Sequence, residues 1–148
     1  MRTIIILLLA ILLPLHEVRA TKRVITGDER TELYLPLING KRVALFSNQT
    51  GLVGTDHHHV LDLLVEKGVK VTAVFSPEHG FRGRADAGAV IGDEVDERTG
   101  IPILSLYGQN RKKNLGEESM TLFDVLLVDI QDVGLRYYTY YVTMCHLM

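Results

Sequence analysis

Three groups of polar side chains follow apolar runs of the sequence. Residues 48–50 follow the run 42–46, residues 76–83 follow the run 69–75, and residues 131–136 follow the run 125–130. In an open parallel sheet, ligands bind in the crevice at the carboxyl ends of the strands. If the three runs are parallel strands, we expect the three groups to converge on one edge. The spacing therefore predicts one functional site built from three loops.

Glu78 is the first candidate for proton transfer at this edge. It lies just beyond an apolar run, where partial burial favours the protonated carboxyl that a general acid requires. Arg82 and Arg84 lie close in sequence and would favour the ionised form if they paired with it. A turn cap or an ion pair with Arg82 is the alternative interpretation of Glu78, and the sequence leaves it open.

Asp129 and Asp132 flank Gln131 near the end of the last apolar run. A carboxylate inside an apolar run needs a partner or a function, which makes Asp129 the more informative of the two. The alternative for either aspartate is a helix cap or a turn acceptor. Asn48 and Gln49 offer both the donors and the acceptors that sugar hydroxyl and acetamido groups require, although asparagine is also a common turn former.

The sequence favours neither a metal site nor a nucleotide cofactor. Adjacent helical residues point about 100° apart, so the three histidines 57–59 cannot share one ion through a single face. They are predicted to be solvated residues at a helix start. A metal site made of His59, Glu78, His79 and Asp129 stays conceivable, but no HExxH or CxxC spacing supports it. The motifs GxGxxG, GxxxxGK[ST] and GxSxG are all missing.

The apolar runs predict an α/β fold. A strand at 42–46, a helix capped by Asp56 and ended by Gly68, and a strand at 69–75 make a βαβ unit with parallel strands. The helix carries its apolar residues on one face: Val60, Leu61, Leu64 and Val65. We therefore predict a mostly parallel sheet with flanking helices.

The second half of the sequence is less regular. Residues 76–102 are predicted to be a long loop, and loops of this length tend to be functional or disordered. A short strand at 103–106, a short helix at 117–122 and a strand at 125–130 follow. A last helical pattern, made of Tyr137, Tyr141, Met144 and Met148, breaks off at the final residue. We therefore expect a completing portion, a second domain, to be missing from this chain.

The composition is that of an ordinary globular domain. The chain has 148 residues, of which 47% are hydrophobic and 23% charged. A net charge of −2 provides no basic surface for nucleic acid and no strongly cationic face for a membrane. Cys145 is the single cysteine, which excludes an internal disulfide in this chain, and we assign it no catalytic role.

Residues 1–20 have the pattern of a secretory signal peptide. Arg2 precedes an apolar run at 4–13, and Val18-Arg19-Ala20 precedes the expected cut. This run is shorter than the roughly 20 residues that span a bilayer. We predict a mature domain of residues 21–148, secreted or periplasmic, without stable membrane insertion once the signal is removed.

Several motifs together resemble the NamZ-type exo-β-N-acetylmuramidases. They occur in the family's order over nearly the whole mature chain from about residue 43. The motifs are SNQTG at 47–51, His59 before DLL at 62–64, FSPEHGFRG at 75–83, DAG at 86–88, SLYG at 105–108, DIQDVG at 129–134 and RYYTY at 136–140.

This resemblance implies a glycoside hydrolase that removes N-acetylmuramic acid (MurNAc) from the non-reducing ends of peptidoglycan fragments. It also implies a Rossmann-like N-terminal domain followed by a second domain, with the active site in the cleft between them. Glu78 falls on the family's catalytic glutamate. The other motif positions implied in the pocket are Asn48, His79, Arg82, Gln131, Asp132, Arg136 and Tyr138.

The resemblance leaves several points open. The implied substrates are muropeptides or a MurNAc-GlcNAc disaccharide, whose anionic lactyl group would suit Arg82 or Arg136. The second catalytic group is Asp129, Asp132 or the acetamido group of the substrate itself. Because we expect a second domain to be missing, a non-catalytic cell-wall-binding module or an inactive fragment is an alternative function. A metal-dependent hydrolase is the other alternative.

Overall fold

A computed structural model describes residues 23–83, 92–107 and 117–148 of the chain. The predicted signal peptide at 1–20, Arg84 and the DAG motif at 86–88 lie outside these residues. No helix within the described ranges is both long enough and apolar enough to cross a bilayer.

The described chain consists of four helices and seven strands. In order they are α1 (Thr31–Ile38), β1 (Val43–Ser47), β2 (Leu52–Val53), β3 (His58–His59), α2 (Val60–Glu66), β4 (Val71–Ser76), β5 (Glu94–Val95), β6 (Pro102–Ser105), α3 (Glu117–Met120), β7 (Val125–Asp129) and α4 (Thr139–Leu147). Five of the strands form one sheet in the order β5-β6-β4-β1-β7, and β2 pairs separately with β3.

The main sheet is parallel except for β5. β1 pairs in parallel with both β4 and β7, β4 pairs in parallel with β6, and β5 runs antiparallel to β6 at the edge. Every residue of β1 is buried, as expected for a central strand that is covered on both faces. The predicted α/β class, with a mostly parallel sheet and flanking helices, is confirmed.

Helices pack on both faces of the sheet and create two cores. On one face, Val43 and Leu45 of β1 pack with Leu61 and Leu64 of α2, and α1 adds Ile38. On the other face, the alternate β1 residues Ala44 and Phe46 form a cluster with Phe75 and with Met144 and Leu147 of α4. We call these the α2 face and the α4 face.

The strand register aligns the carboxyl ends of the parallel strands. Ser47 lies beside Asp129, Phe46 beside Phe75, and Ser76 beside Ser105. Strand residues alternate between the two faces. Ser47 and Asp129 therefore share the α2 face with Leu45 and Leu127.

The structure corrects the start of the second helix. α2 begins at Val60, and its N-cap is His59, whose Nδ1 accepts a hydrogen bond from Leu61 N at 3.1 Å. Asp56 is not the cap, because the β2–β3 pairing takes up the chain as far as His59 and leaves Asp56 in an exposed turn. The segment predicted as a continuous loop at 76–102 also contains a strand, β5.

Candidate functional site

Asn48 and Gln131 are joined at the carboxyl edge of the sheet through one threonine. The Asn48 Oδ1 accepts hydrogen bonds from Thr50 N at 2.9 Å and from Thr50 Oγ1 at 2.7 Å. The same Thr50 Oγ1 accepts a hydrogen bond from Gln131 N at 3.3 Å. Asn48 is fully buried, and its Nδ2 has no hydrogen-bond partner among the described residues. Asn48 therefore links the loops that follow β1 and β7.

Glu78 projects from a turn that follows β4. The turn is closed by a hydrogen bond from Gly80 N to Pro77 O at 3.2 Å. Pro77 and Phe81 on either side are fully buried, whereas Glu78 is half-buried. Its Oε2 accepts a hydrogen bond from Oγ1 of Thr139, the first residue of α4, at 3.1 Å. The carboxylate thus lies on the α4 side of the edge.

The residue next to Glu78 has a strained backbone. His79 has φ 73° and Gly80 has φ 75°, so two successive residues are left-handed. For a residue other than glycine, the left-handed conformation costs about 1–2 kcal/mol. Such strain persists only when the surroundings impose it, and it is concentrated at functional sites.

Asp132 caps the helix that Glu78 contacts. Its Oδ2 accepts a hydrogen bond from Tyr141 N, in the first turn of α4, at 3.2 Å, and its Oδ1 accepts one from Gly134 N at 2.7 Å. Asp132 therefore has the helix-capping role that the sequence left open as the alternative for either aspartate. Both Asp132 and Glu78 therefore lie at the start of α4.

Asp129 lies on the α2 face of the sheet, on the other side from the Glu78 carboxylate. A Cβ atom on Gly51 would lie 2.8 Å from Asp129 Oδ2 and 2.4 Å from Ser47 Oγ, so both oxygens crowd the Gly51 backbone. Asp129 Oδ2 is buried without a hydrogen-bond partner in the described chain. Burial, and secondarily the negative charge of Asp28, raises the pKa of Asp129 to about 6.

A groove of about 420 Å³ runs beside Asp129 on the α2 face. Its polar wall includes Asp28, Tyr34, Thr50, Asp129 and Gln131, and its floor is apolar. The groove therefore adjoins the Asn48–Thr50–Gln131 chain but lies on the side of the sheet away from the Glu78 carboxylate.

Arg82 is engaged on the α2 face and does not pair with Glu78. Its Nε and Nη2 donate to Oδ1 of Asp96 at 3.1 and 2.8 Å, and Nη2 lies 3.8 Å from Oδ1 of Asp62 in α2. Asp62 also accepts a hydrogen bond from Arg98 at 2.9 Å. An ion pair between Glu78 and Arg82, the alternative interpretation of Glu78, is therefore not formed.

His59 is a structural residue in this site. Nδ1 accepts the Leu61 N–H, so the 2.9 Å contact between Nε2 and Asn48 O requires a proton on Nε2. Burial lowers the pKa of His59, although the Asn48 carbonyl acts in the other direction. Both ring nitrogens are thus occupied, and the prediction of a solvated histidine is wrong for His59, which is 5% exposed. The described ranges contain no group of three His, Cys, Asp or Glu side chains placed to hold a metal ion.

Five predicted site residues are exposed, namely Gln49, Gln131, Asp132, Arg136 and Tyr138. The Gln49 side chain lies against the backbone of Gly83, where an added Cβ would come within 2.7 Å of Gln49 Cδ. Arg136 has no ion-pair partner in the described part of the chain, and Tyr138, the N-cap residue of α4, is 49% exposed. These side chains are accessible to a ligand at the edge.

Three residues that organise the site were not among the predicted site residues. Thr50 joins Asn48 to Gln131, Thr139 bonds Glu78, and Asp96 holds Arg82. Thr50 and Thr139 do lie inside the motifs SNQTG and RYYTY. Asp96 lies in the segment predicted as loop, where no local pattern indicated a buried carboxylate.

The fold and the site define a class: a Rossmann-like α/β domain with carboxylates, amides and an arginine gathered at the strand ends. The family described as exo-β-N-acetylmuramidase NamZ, N-terminal, matches residues 43–148. The chain therefore belongs to the NamZ N-terminal family.

Individual relatives agree with this family. The chain is 45% identical over 116 residues to the peptidoglycan β-N-acetylmuramidase NamZ of Bacillus subtilis (strain 168). The aligned region covers 78% of this chain and 27% of that protein. Two crystal structures of DUF1343 family proteins from Bacteroides fragilis NCTC 9343 are also similar. One has 50% identity and a TM-score of 0.69, covering 85% of this chain and 31% of the other. The second has 39% identity and a TM-score of 0.71, covering 84% and 30%. The chain thus spans about a third or less of each relative.

Proposed function

We propose that this chain supplies the general acid, Glu78, of a β-N-acetylmuramidase that hydrolyses MurNAc-containing peptidoglycan fragments. The Bacillus relative, named as a peptidoglycan β-N-acetylmuramidase, supports the reaction class. The observation that carries the assignment of the acid is the placement of Glu78, half-buried in a strained turn at the strand edge and hydrogen-bonded by Thr139.

The chemistry asked of Glu78 is proton transfer. Hydrolysis breaks the bond between the anomeric carbon of the sugar and the glycosidic oxygen. The Glu78 carboxyl gives its proton to that oxygen as it departs; water then adds its hydroxyl group to the anomeric carbon, and its remaining proton returns to the Glu78 carboxylate. Positioned general acids contribute about 10² to 10⁴ in rate.

For the second group, the geometry favours the acetamido group of the substrate over either aspartate. Both Asp132 oxygens accept backbone N–H groups at the start of α4. Asp129 faces the α2 side of the sheet, whereas Glu78 is bonded to α4 on the other side. Neither carboxylate is therefore free on the face where the Glu78 proton is delivered.

For recognition of the anionic lactyl group, we propose Arg136 rather than Arg82. The Arg82 guanidinium is held by Asp96 and lies near Asp62, while Arg136 is exposed without an ion-pair partner among the described residues. A guanidinium binds a carboxylate with two parallel hydrogen bonds, which fixes the orientation of the sugar. We further propose that the exposed side chains of Gln49 and Tyr138 contact the sugar, and that MurNAc is removed from non-reducing ends.

We also propose that the protein works outside the cytoplasm. Support comes from the pattern of residues 1–20, a positive start followed by a short apolar run, and from the fact that peptidoglycan is an extracytoplasmic material. N-terminal sequencing of the exported chain should give Thr21 as the first residue, and a retained Met1 in the secreted material would contradict the signal peptide.

The decisive experiment compares Glu78→Gln with a matched variant, Glu66→Gln, at an exposed carboxylate on α2. Release of MurNAc from a MurNAc-GlcNAc disaccharide should fall by about 10² to 10⁴ for Glu78→Gln and stay unchanged for Glu66→Gln. Circular dichroism checks that both fold. Equal turnover of Glu78→Gln and wild type would remove Glu78 from the mechanism. Binding without release by the wild-type chain would instead indicate a binding module, and loss of activity to a chelator would indicate a metal-dependent hydrolase.

A further inference from the structure

The turn that carries Glu78 crosses from one face of the sheet to the other. Glu78 contacts Thr139 at the start of α4, on the α4 face. Three residues later, Phe81 is buried in the core of the α2 face, where its ring meets His59 edge-on at 4.6 Å between centroids. The turn is thus anchored on the face opposite the one where its carboxylate is placed.

The second anchor on the α2 face is an ion pair. Asp96 is 4% exposed, and its Oδ1 accepts two hydrogen bonds from Arg82, at 3.1 and 2.8 Å. Its Oδ2 accepts two more from Thr99, from N at 3.1 Å and from Oγ1 at 2.8 Å. Every lone-pair direction of this carboxylate is therefore directed at a fixed donor, and Arg82 has one defined position.

The anchors act on a turn that would otherwise relax. His79 holds a left-handed backbone with φ 73°, which an isolated chain would leave. Pro77 is buried before it, and Phe81 and Arg82 are fixed after it. If Arg82 is released, the His79 and Gly80 backbone loses one of the constraints that impose this conformation, and the direction of the Glu78 side chain changes with it.

We infer that Asp96, acting through Arg82, is a positioning residue for Glu78. The Arg82–Asp96 pair on the α2 face holds the 77–83 turn so that the Glu78 carboxylate faces α4. This inference rests on the proposed function for its kinetic consequence, but its structural consequence, the conformation of the turn, does not depend on it.

The test uses Asp96→Asn with Asp124→Asn as the matched control. An asparagine at 96 places an NH2 group against either Thr99 or Arg82, so one set of hydrogen bonds is lost. Asp124 also pairs with an arginine, Arg42, at 2.7 Å, just before β7 begins at the opposite end of the sheet from Glu78, and its side chain is 44% exposed. Both variants therefore break an arginine–aspartate pair, but only Asp96→Asn does so beside the 77–83 turn.

Two measurements separate positioning from a general loss of stability. In ¹⁵N NMR spectra, Asp96→Asn should shift the amides of His79 and Gly80, whereas Asp124→Asn should leave them unchanged. In MurNAc release from the disaccharide, Asp96→Asn should lower kcat by roughly 10- to 100-fold with KM changed by less than about threefold, because misplacement of a reacting group affects the transition state more than binding. Arg82→Lys should reproduce the kcat loss, since a lysine ammonium cannot replace the two-donor fork.

The outcomes also separate this inference from the proposed function. If the His79 and Gly80 amides respond to Asp96→Asn no more than to Asp124→Asn, the positioning role is overturned, whatever the kinetics. If those amides move but kcat does not, Asp96 shapes the turn without positioning Glu78, which also overturns it. If Glu78→Gln retains full turnover, the proposed function fails, and the amide shifts alone then decide whether Asp96 controls the turn.

Discussion

Replacing Asp129 by asparagine tests how much a buried carboxylate at the strand edge costs the fold. The folded-state pKa of Asp129 is about 6, against an ordinary value of 3.8, because the side chain is partly buried and Asp28 lies nearby. At low pH both the folded and the unfolded chain carry the protonated group. As the pH rises through 3.8, the unfolded chain ionises first, and the free energy of unfolding falls until the folded group ionises near pH 6.

The magnitude follows from the difference between the two pKa values. About two pKa units correspond to about 3 kcal/mol at full strength. Asp129 is partly solvated, so screening reduces the expected cost to about 1–2 kcal/mol. Asparagine does not titrate, so the Asp129→Asn variant should gain this amount relative to wild type between about pH 4 and about pH 7.5.

The assay is urea denaturation of both proteins at the two pH values. At each pH, the free energy of unfolding of wild type is subtracted from that of the variant. The quantity compared is the change in this difference from the lower to the higher pH, because effects of side-chain shape are the same at both and cancel. Asp56→Asn is the control, because Asp56 is exposed and should show no such change. A difference that does not vary with pH, or one that favours wild type at the higher pH, would refute the buried-carboxylate reasoning.

Two further substitutions test the packing of the edge and the start of α4. Gly51→Ala should destabilise the fold by about 1–3 kcal/mol in urea denaturation, because the added Cβ would lie 2.4 Å from Ser47 Oγ. The control is Gly92→Ala, which should cost less because an added Cβ there has nothing within 4 Å. Asp132→Ala should destabilise by about 1 kcal/mol and raise the hydrogen-exchange rate of the Tyr141 amide, because it removes a helix cap; an unchanged exchange rate would contradict the cap.

Local sequence patterns were sufficient for the strands that build the sheet. The apolar runs around β1, β4 and β7 predicted those elements within one or two residues. Burial on both faces explains the uninterrupted apolar run of β1, whereas the side chains of β7, at the edge of the sheet, are only partly buried. The same patterns placed Glu78 and Gln131 just beyond strand ends. They did not show α1, which contains Pro36 inside a helix of eight residues and was not predicted.

Tertiary structure decided which face of the edge each polar side chain occupies. Glu78 receives its hydrogen bond from Thr139, 61 residues away, and Arg82 is held by Asp96, 14 residues away. These pairings depend on strand order and on which helix covers which face, and neither leaves a periodic trace in the sequence. Local chemistry therefore indicated which residues belong to the site, whereas only the folded chain separated Glu78 from Asp129 and Arg82, because the sheet between its two helix layers divides the edge into two sides.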